Sequence, residues 1–130
     1  MKVYKLSYRR YVEDNILSTF LIGFFDSKEM ALMVKKKYLN KPGFSENGDN
    51  FNIEEYELIS SVTKVYYVQS EYFDSKNMCD IITEIGLYDN RMDAEIAVSK
   101  KKDERPAEIY TIDTYELNEP NWKEGFVDYE

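Results

Sequence analysis

Hydrophobic and polar residues alternate at two places in the chain, first in Tyr4–Arg9 and again in Tyr66–Ser70. Alternation with a period of two residues is typical of a strand that buries one face. The sequence therefore predicts a half-buried strand at each place. The segment after the first strand, Ile16–Phe25, is apolar on both faces, which favours a central strand. Its counterpart, Cys79–Tyr88, carries two acidic residues, so we expect it to be less buried.

Helix-capping residues follow the second strand in both halves of the chain. Asp26-Ser27 and Asp89-Asn90 are good N-cap residues, and Glu29, three positions after Asp26, resembles a capping box. Apolar residues then recur at helical spacing, so a helix is predicted after each cap. Pro42-Gly43 and Pro106 are expected to lie beyond the two helix ends.

The motif IxxYEL occurs twice, at Ile53–Leu58 and at Ile112–Leu117, and it predicts the third strand of each half. The Ile and the Tyr are three positions apart, whereas the Tyr and the Leu are two apart. Strict alternation would put the Ile on the opposite face, so we expect a bulge or bend between Ile and Tyr in both copies.

The three strand motifs occur in the same order in both halves, which indicates an internal duplication. Equivalent residues are 62, 63 and 59 positions apart in the pairs Tyr4/Tyr66, Gly23/Gly86 and Tyr56/Tyr115. The prediction is an α+β fold made of a tandem ββαβ duplication, with residues 1–61 and 62–130 forming one pseudo-twofold, mainly antiparallel domain with two helices. One continuous six-stranded sheet and two packed half-sheets both remain open.

The second copy differs from the first in its C-terminal tail, residues 118–130, which follows IxxYEL. The first copy leads directly into the second, whereas the second must end the sheet by itself. We therefore expect the tail to close the sheet, with Trp122 and Phe126 over an open edge or an apolar hole.

The repeated strand and the tail motif carry a family resemblance. The letters KVY begin both copies, at Lys2–Tyr4 and Lys64–Tyr66, and YELNEPNWKEGF occupies Tyr115–Phe126. These motifs resemble a family of small, uncharacterised bacterial proteins in which a KVYxL strand opens the unit and YEL, then W-x-E-G-F, close it. The first copy lacks W-x-E-G-F but keeps the loop Pro42–Phe44. The resemblance implies the fold and the repeat, and it assigns no catalytic residue.

The residue inventory excludes several kinds of catalytic site. The chain has no histidine and one cysteine, so Ser/His/Asp and Cys/His catalysis and His- or Cys-rich zinc sites are excluded. Neither phosphate-binding glycine motif occurs. Adjacent carboxylates remain at Glu13-Asp14, Glu54-Glu55 and Asp103-Glu104, but neighbouring strand residues point to opposite faces and loop pairs usually face water. We expect no enzymatic activity, no cofactor and no bound metal.

The cysteine and the N-terminal pattern favour a cytoplasmic protein. Cys79 cannot form an internal disulfide, and its equivalence to Ile16 predicts a small buried side chain. The first residues do not resemble a secretory signal. The apolar run Ile16–Phe25 is much shorter than the roughly 20 residues of a membrane span, so no membrane association is expected.

Charge is distributed unevenly between the two copies. Residues 1–63 carry nine basic and nine acidic residues, whereas residues 64–130 carry eight and sixteen, which accounts for the net charge of −8. A negative surface argues against direct nucleic-acid binding, since that requires Lys and Arg on phosphates. The acidic residues either keep the protein in solution or steer it toward a basic partner.

Two functional hypotheses follow. The first is a non-enzymatic module whose acidic, aromatic C-terminal half binds a basic protein, as an immunity protein or an enzyme inhibitor does. Its predicted contact residues are Trp122, Glu124, Phe126, Glu119 and Asp128. The alternative is a structural or regulatory module that binds a small ligand, or a second copy of itself, at a site between the repeats.

Overall fold

The computed structural model describes residues 1–12, 15–39 and 50–120. Within them the order of elements is ββαβ followed by ββαβ, as the duplication predicts. The elements are β1 (Lys2–Val12), β2 (Asn15–Phe25), α1 (Lys28–Tyr38), β3 (Phe51–Glu57), β4 (Lys64–Asp74), β5 (Cys79–Tyr88), α2 (Arg91–Glu104) and β6 (Ile109–Glu116). The predicted α+β class is confirmed, and the two halves are alike.

The described strands form two three-stranded antiparallel sheets, with orders β2-β1-β3 and β5-β4-β6. The prediction that β2 is central is therefore wrong, because β1 lies between β2 and β3. The end of β2 is nevertheless buried, from Ile22 to Phe25. Apolar residues on both faces thus indicate that a segment is buried, and they do not show where the strand lies within its sheet.

The two copies share a β-bulge at the Ile-Gly dipeptide of the second strand. In the first copy the register passes from Leu6↔Gly23 to Ser7↔Leu21, so one extra residue, Ile22, enters β2. In the second copy it passes from Val68↔Gly86 to Gln69↔Glu84. The bulge is therefore part of the repeated architecture.

The bulge predicted inside IxxYEL is absent from the first copy. The β1–β3 register is continuous from Lys2↔Glu57 to Tyr8↔Phe51, with Leu6 opposite Ile53 and Val3 opposite Tyr56. Ile53 and Tyr56 can lie on opposite faces of the sheet without a bulge, because both faces of the neighbouring strand β1 are buried. Val3 and Leu6 point to opposite sides of the sheet, and neither has exposed surface.

The core of the first sheet lies between its strands and α1. It joins Leu6 and Tyr8 of β1 to Ala31, Val34 and Tyr38 of α1. On the opposite face of β1, Lys5 is also buried, which contradicts a half-buried strand with a solvent-facing polar side. Its ammonium group lies 3.5 Å from a carboxylate oxygen of Glu54, so the buried charge is paired.

Both helices begin at one of the predicted capping residues. The Ser27 hydroxyl accepts a hydrogen bond from Met30 N at 3.1 Å, and Asn90 Oδ1 accepts one from Asp93 N at 2.9 Å. Glu29 does not form a capping box with Asp26, because the cap is one residue later. Pro106 lies two residues past the end of α2, as expected.

The chain divides into two compact units whose limits differ from those of the repeats. The first unit is Met1–Leu58 together with the segment that begins at Glu116, and the second is Ile59–Tyr115. In the first unit, Asn118 N donates to Phe24 O at 2.8 Å, and Asn118 Oδ1 accepts from Asp26 N at 3.1 Å. Each unit thus contains residues that follow the IxxYEL strand of the other repeat. Whether the repeats form one domain stays a prediction.

A matching contact in the second unit predicts acid sensitivity. Ser60 N donates a hydrogen bond to Asp89 Oδ2 at 3.0 Å, and Asn90 Nδ2 donates one to Asp89 Oδ1. These two hydrogen bonds, of which the one from Ser60 has the larger effect, hold the pKa of Asp89 below its ordinary value of 3.8. A carboxylate with a depressed pKa stabilises the fold above its unfolded pKa, and the contribution is lost as pH falls through the folded value. In urea unfolding between about pH 6 and about pH 3, wild type should lose its stability advantage over Asp89→Asn as the pH falls. A constant difference would contradict this expectation.

Candidate functional site

The predicted contact residues lie mostly outside the described part of the chain. Trp122, Glu124, Phe126 and Asp128 fall there, and so does most of the tail that was predicted to close the sheet. Glu119 is described, and its side chain is exposed. These contacts therefore stay predictions, and the described surface of the acidic second copy provides a different candidate.

The end of the β4–β5 hairpin exposes a group of large apolar side chains. Ser70 Oγ donates a hydrogen bond to Glu108 Oε1, and Glu108 is the residue before β6 begins. The part of β4 that follows Ser70 therefore extends beyond the first residue of β6. Cross-strand pairing puts Tyr72 opposite Ile81 on one face. On the other face, Glu71 is opposite Ile82 and Phe73 is opposite Asp80. Both faces of this two-stranded end reach solvent, with exposed fractions between 43% and 76% for Tyr72, Phe73, Met78, Ile81 and Ile82.

The turn that joins β4 to β5 is fixed by the carboxylate of Asp74. Asp74 Oδ1 accepts from the backbone of Lys76 at 3.0 Å, and Oδ2 accepts from Asn77 Nδ2 at 2.7 Å. These hydrogen bonds, of which the one from Asn77 has the largest effect, hold the pKa of Asp74 below its usual range. Met78 follows with φ of 54°, a left-handed conformation that favours Gly or Asn. A large apolar side chain is thus held in solvent at a strained position.

Acidic residues surround this apolar end, which we call the hairpin surface (Glu71–Ile82). Glu71, Asp74 and Asp80 lie within it, against a single basic residue, Lys76. Cys79 is exposed here, opposite Asp74, so the prediction that it is buried is wrong.

The adjacent carboxylates that were catalytic candidates make structural contacts where they are described, and Glu13-Asp14 lies outside the described residues. Glu54 accepts from Asn52 Nδ2 at 2.9 Å and from Tyr56 OH at 3.2 Å, while Glu55 lies 3.8 Å from the ammonium group of Lys2. Asp103 and Glu104 are exposed in the last turn of α2. Among the described residues, no group of three or more Cys, Asp or Glu side chains is placed to hold a metal ion.

A pocket of about 360 Å³ lies on the helix side of the second sheet. One wall comes from the strands and contains Tyr72, Ile81 and Thr83. The other wall is the loop between α2 and β6, Arg105–Glu108. Two bonds hold this loop, since Tyr110 OH donates to Arg105 O at 2.9 Å and Glu108 N donates to the same carbonyl at 3.4 Å. These bonds order the loop wall of the pocket.

The pocket contains one charge of each sign. Glu108 is almost buried, with 10% of its side chain exposed, and its Oε1 accepts a hydrogen bond from Ser70 Oγ at 3.1 Å. Arg105 Nε lies 3.7 Å from Glu108 Oε2, and 57% of the Arg105 side chain is exposed. The carboxylate is thus fixed in place, whereas the guanidinium is held loosely. Sequence reasoning missed this pocket altogether.

No protein-family profile, curated protein or solved structure matches this chain. The fold and the two candidate sites therefore define its class directly: an α+β protein built from two similar ββαβ repeats. In the described residues, neither helix has the length and apolar character that crossing a membrane requires.

Proposed function

We propose that this protein is a non-enzymatic protein-binding module that engages a basic partner protein through the hairpin surface. The observation that carries the proposal is the hairpin end itself, where five large apolar side chains on both faces reach solvent together. Single exposed apolar residues are common, but a contiguous group with a polar rim is typical of an interaction site.

The charge of the surface supports a basic partner. Three carboxylates lie among the apolar side chains, within a copy that has twice as many acidic as basic residues. Complementary charge accelerates encounter and rejects wrong partners, while the apolar centre supplies most of the affinity. An immunity-type protein or an inhibitor of a nucleic-acid-handling enzyme would have this combination, and the proposal includes a cytoplasmic location.

The turn supports binding through a rigid hairpin. Met78 keeps a left-handed conformation that costs a residue with a Cβ roughly 1–2 kcal/mol. Strain of this kind is concentrated at functional sites. Because the Asp74 carboxylate already orders the turn, a partner would not have to order it on binding.

The test is capture of partner proteins from cell extract by the immobilised protein, with matched variants. Phe73→Glu and Ile82→Glu change the apolar centre, and Ile59→Glu makes the same change at a fully exposed residue outside the hairpin. A basic protein should be retained by wild type and by Ile59→Glu, with at least about tenfold less retained by the two hairpin variants. Equal loss in all three variants, or retention of no basic protein, would refute the proposal.

Two further measurements separate charge from contact. Glu71→Lys and Asp80→Lys should slow association and reduce its dependence on salt, whereas Asp103→Lys at the end of α2 should not. A bulky maleimide on Cys79, the single thiol and an exposed one, should block capture. Light scattering shows whether the surface instead pairs two copies of this chain, an outcome that would replace the basic partner with self-association.

A further inference from the structure

The pocket in the second unit lies where the first unit has an aromatic cluster. In the first unit the rings of Tyr8 and Phe51 lie 5.0 Å apart, and Phe20 and Tyr38 belong to the same core. The offsets between the repeats identify the equivalent residues of the second unit. Three of these large rings are replaced by smaller or polar side chains, in the pairs Tyr8/Ser70, Phe20/Thr83 and Tyr38/Lys101.

These replacements leave space and also place polar groups beside it. Thr83 lines the pocket, and Ser70, which is buried, holds the Glu108 carboxylate. A position that only needed filling would be served by the ring already present in the other copy. The second copy instead carries a hydroxyl that orients a carboxylate, and a buried charge is costly unless its surroundings compensate for it.

The two charges are arranged unequally. Glu108 is held by Ser70 and by the turn to Arg105 O, so its position is fixed. The Arg105 guanidinium has five N–H donors in a planar fork, and the 3.7 Å contact to Glu108 involves Nε. That contact is longer than a good charge-assisted hydrogen bond, which measures about 2.7–2.9 Å. Both charges therefore retain capacity for a ligand.

We propose that this pocket binds a small zwitterion with one apolar group, of which a free apolar α-amino acid is the simplest form. The ligand ammonium pairs with Glu108, the ligand carboxylate pairs with Arg105, and the apolar group lies along Tyr72 and Ile81. A ligand with only one charge would leave either Glu108 or Arg105 without a ligand group of opposite charge. The volume, near the lower end of the usual range of about 300–1,000 Å³ for ligand pockets, suits a molecule of this size.

This site goes beyond the protein-binding function and does not depend on it. Arg105 and Glu108, which select the ligand, lie outside the hairpin surface. Tyr72 and Ile81 belong to both sites, so the variants used below leave them unchanged.

The first experiment is calorimetric titration with matched probes. L-phenylalanine is compared with 2-phenylethylamine, which lacks the carboxylate, and with 3-phenylpropionate, which lacks the ammonium. L-leucine is compared with 3-methylbutylamine and 4-methylpentanoate in the same way. At least one of the two amino acids should bind, and each of its single-charge analogues should bind at least about tenfold more weakly, because each loses a charge-assisted hydrogen bond.

The second experiment assigns the two charges to residues. Glu108→Gln keeps the shape and the acceptor for Ser70, and it should weaken amino-acid binding at least about tenfold. Arg105→Met should remove the preference for the amino acid over its amine. Thr83→Phe restores the residue of the first repeat and should close the site. The matched control is Glu95→Gln, which removes a carboxylate from the exposed Arg91–Glu95 pair on α2 and should leave binding unchanged.

Three results would overturn the proposal. They are failure of both amino acids to bind at millimolar concentration, equal binding of an amino acid and one of its single-charge analogues to wild type, and undiminished binding to Glu108→Gln. Circular dichroism of each variant establishes that it is folded, and Glu108→Gln keeps the test valid even if Thr83→Phe fails to fold.

Discussion

Tyr8→Ala is expected to lower the free energy of unfolding by about 3–5 kcal/mol, the largest single-residue effect in the described core. The Tyr8 side chain is buried, and its ring lies 5.0 Å from that of Phe51 at an interplanar angle of 58°. Removing it creates a cavity between β1 and α1, and the surrounding Leu6, Val34 and Tyr38 are fixed by regular elements and cannot collapse fully.

Urea unfolding followed by circular dichroism measures this change. Tyr72→Ala removes the same side chain from an exposed position and should cost no more than about 1 kcal/mol. Tyr8→Phe retains the ring and should cost far less than Tyr8→Ala. A similar cost for Tyr8→Ala and Tyr72→Ala would mean that the aromatic cluster does not stabilise the first unit.

The second prediction compares the two glycines of the repeated bulge. A Cβ at Gly23 would lie 3.2 Å from the carbonyl oxygen of Glu119 and 3.3 Å from the Phe25 ring, in a buried site. A Cβ at Gly86 would lie only 2.8 Å from a neighbour, but that neighbour is the hydroxyl of Tyr88, the outer end of a half-buried side chain. A side-chain end can move aside, whereas the backbone at Glu119 is held through Asn118.

Gly23→Ala should therefore lower the free energy of unfolding by about 1–3 kcal/mol, although the closest contact of the new Cβ is longer at Gly23 than at Gly86. Gly86→Ala should cost less than about 1 kcal/mol, since replacing a strand glycine also offers a gain of about 0.5–1 kcal/mol. Amide hydrogen exchange provides a local check, because Gly23→Ala should deprotect Asn118 and Asp26 and Gly86→Ala should not. A larger effect at Gly86 would contradict this view of the bulge.

Local features were predicted well from the sequence. The order of strands and helices and the capping positions Ser27 and Asn90 follow from residues that are close together in the chain. The similarity of the two halves follows from motifs that recur in the same order in both. The position of β2 within its sheet was predicted incorrectly. An apolar segment such as β2 reveals that it is buried but not which strands flank it, because neighbouring layers bury a strand as effectively as neighbouring strands do.

The candidate sites were harder to predict for two physical reasons. The hairpin surface depends on how far β4 and β5 extend past β6, which alternation does not reveal, so Cys79 was expected inside and lies outside. The pocket did have a sequence signal in Ser70 and Thr83, where the first copy has Tyr8 and Phe20. A search for shared letters between the repeats passes over positions that differ, and those positions carry the pocket.

The way the chain is divided between the two units determines when each unit is complete during synthesis. The second unit is one continuous stretch, Ile59–Tyr115, whereas the first combines the start of the chain with a segment that begins at Glu116. A ribosome therefore synthesises every residue of the second unit before it synthesises the segment that completes the first unit. The hydrogen bonds that Asn118 makes with Phe24 and Asp26 can therefore form only after the whole second unit has been synthesised.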